Sequence, residues 1–110
     1  MNTGERRKAQ RISFVGTAVL RHGENQTLET AVDTHNISLA GVFLETPQRL
    51  TLDTPCEVEI HLTGTTSSME FRAQGVVRRH DAVGMGVAFT HLDPDSYLHI
   101  LNLVKLHAAV

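Results

Sequence analysis

The stretch "EVEIHL" (residues 57–62) alternates without a break, with Val58, Ile60 and Leu62 on one side and Glu57, Glu59 and His61 on the other. A period of two belongs to an extended strand with one face on a core and one in water. The same period spreads outward in both directions. Toward the N-terminus, Ile12, Phe14, Gly16, Ala18 and Leu20 alternate with mostly polar neighbours as far as the turn-forming "HGEN" (22–25). Leu28, Thr30, Val32 and Thr34 make a weaker stripe, and "GVFLET" (41–46) is a short apolar run that stops before Pro47. Toward the C-terminus, the turn-like "TGTTSS" (63–68) leads into a long strand over 69–80. After "DAVG" (81–84), Met85, Val87 and Phe89 alternate with Gly84, Gly86 and Ala88.

The period changes at "LDPDSYLHILNLVKLHAAV" (92–110). Asp93 can cap a helix, Pro94 suits its first position, and Asp95 favours the positive end of the dipole. Tyr97, Ile100, Leu101, Val104 and Ala108 follow at helical spacing, widened by Leu98, Leu103 and Leu106, which predicts a helix over about 93–108 docked by one face. Six turn-separated strands followed by one helix argue for a small antiparallel barrel or sandwich. Gly75, inside the fifth strand, fits a bend or bulge in a closing sheet.

A chain of 110 residues is the size of one domain and can bury a core without disulfides or metal. At 41% hydrophobic and 20% charged residues, with a formal net charge of -2, the composition excludes wholesale disorder and wholesale coating of nucleic acid. A lone cysteine, Cys56, excludes an internal disulfide and a cysteine-rich zinc site. It reads as a half-buried filler in a reducing compartment. No apolar run approaches the ~20 residues that span a bilayer, and the charged start is not followed by an apolar signal region. A cytoplasmic location is expected, without membrane insertion.

Catalytic constellations are poor. Asp33, His35 and Ser38 come nearest to a triad, but strand alternation would put Asp33 and His35 on one face without bringing a base to the hydroxyl. His99 and His107 are two helical turns apart, too far for a shared metal. No glycine-rich loop joins a strand to a helix as a phosphate cradle. No catalytic residue, metal or cofactor is expected.

Two short stretches remain. "RRKAQR" (6–11) concentrates Arg6, Arg7, Lys8 and Arg11 in an otherwise slightly acidic chain, and "NISLAG" (36–41) places an amide, a hydroxyl and a bare backbone at a turn between strands. Asn, Ser and Gly are ordinary turn residues, so the second stretch is weak evidence alone. In order, and around this strand pattern, the two stretches resemble the paired marks RxxxR and (D/N)xSxxG of the PilZ domain family. Arg7 and Arg11 match the first; Asn36, Ser38 and Gly41 match the second.

The resemblance implies a six-stranded antiparallel barrel with a C-terminal helix, spanning 12–110, behind a basic arm at 1–11. It also implies a non-enzymatic receptor for the bacterial second messenger cyclic di-GMP. Arginine suits that ligand, because its planar fork can grip phosphate, pair with guanine O6 and N7, or stack on a purine. By the same resemblance, Asn36 and Ser38 hydrogen-bond guanine or a nearby phosphate, while Gly41 permits close approach of the ligand. Arg6, just before RxxxR, is associated in the family with a mutually intercalated pair of ligand molecules. On the fifth strand Arg72, Gln74, Val76 and Arg78 share the face opposite Phe71, Ala73 and Val77, which makes Arg78 a further candidate contact.

With one domain, output would pass through an unidentified protein partner. The arm is too polar to bury much surface by itself and is expected to become ordered over the ligand. The alternative is a PilZ-like interaction module that binds no nucleotide, against which the complete motifs argue. A barrel for single-stranded nucleic acid would need exposed aromatic platforms, whereas Phe14, Phe43, Phe71 and Phe89 mostly fall at core phase.

Overall fold

The computed structural model describes residues 14–64 and 67–109. Six antiparallel strands form: β1 (Val15–His22), β2 (Gln26–Val32), β3 (Gly41–Glu45), β4 (Pro55–Thr63), β5 (Ser68–His80) and β6 (Gly84–Leu92). The helix α1 (Pro94–Ala109) follows them. The sheet order is β2-β1-β4-β5-β6-β3, and the sheet curls into a half-barrel. Its edge strands, β2 and β3, come side by side without a backbone ladder; the Thr30 hydroxyl crosses the seam to the Glu45 carbonyl at 3.3 Å. The expected all-β architecture with a terminal helix therefore forms.

Alternation sets the inside of the sheet. Val58, Ile60 and Leu62 are at most 1% exposed. They join Ala18, Leu20, Val42, Leu44, Phe71, Val77, Met85 and Val87 in one core cluster. The "HGEN" hairpin turns through left-handed backbone at Gly23 and Asn25, residue types that tolerate it. Gly75 sits where the β5–β6 register shifts, because Gln74 pairs with His91 but Gly75 with Phe89, which leaves Thr90 as an extra residue. A Cβ on Gly75 would lie 2.7 Å from the Ala88 carbonyl oxygen, so the strands approach this closely only over glycine.

Two expectations need correction. The outer face of β4 is not uniformly solvated, since Glu59 is buried under Arg21 from β1, Arg72 from β5 and His61 of its own strand. The docked face of α1 is also narrower than its apolar residues suggest. Ile100 and Leu103 are fully buried, whereas Tyr97, Leu98 and Leu106 are exposed. The centre line runs from Ser96, whose hydroxyl accepts the Arg72 backbone N–H at 3.0 Å. At that point β5 has outrun β6, whose pairing with it starts at Ala73, so a helix side chain satisfies the free strand edge. Asp93 caps the helix as expected, accepting the Ser96 N–H at 2.7 Å.

Candidate functional site

The turn that carries Asn36, Ser38 and Gly41 is built by two of those three residues. The Ser38 hydroxyl accepts the N–H groups of Ala40 at 3.2 Å and Gly41 at 3.3 Å, and donates to the Gly41 carbonyl at 3.3 Å. The Ser38 backbone N–H donates to the same carbonyl at 2.9 Å. Gly41 then starts β3, opposite Ala88. A Cβ there would collide with the Val87 carbonyl oxygen. Glycine at 41 thus has a reason in strand packing, in addition to the ligand clearance its motif implies. Asn36 makes no side-chain hydrogen bond among the described residues, and it faces a groove.

Thr34, expected at the end of the second strand's stripe, instead opens a single 3-10 turn over Thr34–Asn36 capped by Asp33. Asp33 and His35 meet through this turn, the carboxylate accepting the His35 N–H at 2.9 Å and lying 3.2 Å from Nδ1. Ser38 spends its hydroxyl on its own turn.

The groove has a volume of about 310 Å³ and runs across the outer face of β3, β6 and β5. It exists because its floor lacks bulk: Gly86 of β6 lies between Phe43 of β3 and Arg79 of β5, and Ala88 between Gly41 and Val76. Asn36, Ser38 and Gly41 line one side, and Arg78 and Arg79 the other. Both arginines reach it through a second bulge in β5. Val77 pairs with Val87, but Gly86 pairs with Arg79, so Arg78 is an extra residue and the alternation slips by one. Without the slip Arg79 would share the buried side of Val77. Arg78 is partly engaged already, 3.3 Å from the Asp53 carboxylate.

Arg79 was not singled out by motif or phase, and Phe43 was grouped with the phenylalanines at core phase. On β3 the core takes Val42 and Leu44, which leaves Phe43 on the groove side rather than at core phase. The guanidinium carbon of Arg79 stands 5.2 Å from the centre of its ring. The signal that could have revealed Arg79 is "VVRRH" (76–80), where two adjacent arginines in a strand cannot both obey alternation. A second hollow, of about 550 Å³, shares Asn36 and Phe43 with the groove and is also lined by Phe14, Val15 and Gly16. Arg6, Arg7 and Arg11, with the arm at 1–11, lie outside the described residues.

Glu59 and His61 of β4 and Glu70 of β5 bring donor atoms within 4.8 Å of one another. The geometry is that of an ion-pair network. Glu59 faces Arg72 Nε at 3.0 Å and Arg21 at 3.3 Å, and His61 Nδ1 lies 2.8 Å from Glu70. The hydrogen bond with His61, helped by Arg21 and Arg72, holds the Glu59 carboxyl below the usual carboxylate range against the upward push of burial.

The described residues thus form a curled antiparallel sheet with an arginine-walled groove on its outer face. The model of the PilZ domain matches residues 5–106, and the chain belongs to that family, whose members are generally receptors for cyclic di-GMP and not enzymes. Comparison with curated proteins gave no match. Among the described residues, no helix is long and apolar enough to cross a membrane.

Proposed function

We propose that this domain is a receptor for cyclic di-GMP. In this reading Arg7 and Arg11 supply the charge-assisted contacts to phosphate and base, Asn36 the amide contact, and Ser38 with Gly41 the turn that presents it. The observation that carries the reading is the convergence of Asn36, Ser38, Gly41 and Arg78 on one groove, beside a hollow lined by Phe14. A partner protein would then respond to the arm at 1–11 as it orders over the ligand.

Titrating cyclic di-GMP, GTP and a short oligonucleotide in one calorimetric series tests this. Only cyclic di-GMP is expected to bind, with losses of about ten- to a hundredfold in Arg7→Ala and Arg11→Ala, or roughly 1.5–3 kcal/mol per charge-assisted contact. Circular dichroism should be unchanged. Wild-type affinity in both variants would overturn the site, and a folded wild type that binds none of the three would leave the interaction-module reading.

A further inference from the structure

We propose that Arg79, laid over Phe43, reads the guanine base of the bound ligand; the inference rests on the receptor reading above. Three positions in a row across three strands carry it. Arg79 of β5 pairs with Gly86 of β6, and Gly86 pairs with Phe43 of β3, so cation, gap and ring lie side by side on the groove face. The gap matters, because a Cβ on Gly86 would stand 2.9 Å from Arg79 Nε and 3.0 Å from its Cγ. Glycine makes the trough along which the arginine reaches the ring.

Arg79 also keeps its N–H donors unused, although its charge acts on the nearby Asp81 carboxyl and helps to lower its pKa. Arg21, Arg72 and Arg78 are ion-paired, and Arg49 donates to the carbonyls of Ala82 and Gly84. Among the described residues, Arg79 alone of the arginines makes neither a hydrogen bond nor an ion pair. An aromatic ring attracts a guanidinium without using any of its N–H donors. The fork is therefore held in place and still has its full donor capacity.

The surroundings suit a base better than a phosphate, since Phe43 and Ala88 give the groove beside Arg79 an apolar lining. Guanine offers O6 and N7, two acceptors that match the fork, whereas adenine sets its N6 amino donor against it. A residue that reads this edge governs which cyclic dinucleotide is accepted. A residue that only supplies charge strengthens all of them alike.

Calorimetry on the full chain with cyclic di-GMP and cyclic di-AMP separates these roles. The wild type is expected to prefer cyclic di-GMP. Arg79→Lys, which keeps the charge and loses the fork, should weaken cyclic di-GMP by about ten- to a hundredfold and narrow that preference. Phe43→Leu should do the same to a smaller extent, with circular dichroism confirming the fold of both. Wild-type affinity and preference in Arg79→Lys would overturn the inference and leave the receptor reading intact. An equal loss for both ligands would also overturn it, by showing a charge contact only. No cyclic di-GMP binding by folded wild type would remove the receptor reading and this inference together.

Discussion

The Ser38 hydroxyl lies 3.3 Å from both the N–H and the carbonyl oxygen of Gly41. Two of the three motif positions in "NISLAG" are thus bonded to each other. Their first role is to close the turn that starts β3, and the amide of Asn36 is the group left facing the groove.

Ser38→Ala and Asn36→Ala should therefore fail in different ways. The first removes an acceptor for two backbone N–H groups and is expected to lower stability by about 1 kcal/mol in urea denaturation, with weaker binding as a consequence. The second is expected to leave the urea midpoint in place while weakening cyclic di-GMP by roughly three- to tenfold. Equal loss of stability in the two variants would contradict this division of roles.

Gly41→Ala is expected to destabilise the domain itself, by about 1–3 kcal/mol, because the new Cβ meets the Val87 carbonyl across the β3–β6 ladder. Thermal unfolding without ligand reads this directly. An unchanged midpoint with lost binding would mean that Gly41 acts by clearing space for the ligand alone.

Glu59→Gln should destabilise at neutral pH by an amount on the order of 1 kcal/mol, since the exposed arms of Arg21 and Arg72 are screened by water. The dependence on pH has a definite sign. The folded state lowers the Glu59 pKa from about 4.5, so it binds this proton more weakly than the unfolded chain does. The stability Glu59 confers is complete above that value and fades as pH falls through the lowered folded-state pKa. Denaturation curves for wild type and Glu59→Gln should converge on acidification; a gap that widens below pH 4.5 would refute this account.

The resemblance to the family associates the residue before RxxxR with ligand stoichiometry, and in this chain that residue is Arg6. Two cyclic di-GMP molecules per chain are expected, falling toward one in Arg6→Leu. A calorimetric titration with independently measured active concentration counts them, and one ligand per wild-type chain would contradict the assignment.

The strands, the capped helix and the motif pair were all legible in the sequence because each is a local property. Alternation in "EVEIHL" is set by strand geometry within six residues, and Asp93 meets the Ser96 N–H within its own helical turn. RxxxR and NxSxxG are patterns along the chain, and they were enough to indicate the family. What depended on neighbours distant in sequence was not legible. Glu59 obeys the outward parity of its strand yet is buried, because Arg21 and Arg72 fold over it from the two flanking strands. Leu98 carries the hydrophobicity expected of a docked helix face but stays in water, while the polar Ser96 is buried to satisfy a strand edge. The groove is the clearest case. A bulge at Arg78 reverses the parity of Arg79, and only the pairing of β3 and β5 on either side of Gly86 brings that cation to Phe43. Periodicity assigns a face within one strand; which side chains meet across strands is decided by register, and register is a property of the folded sheet.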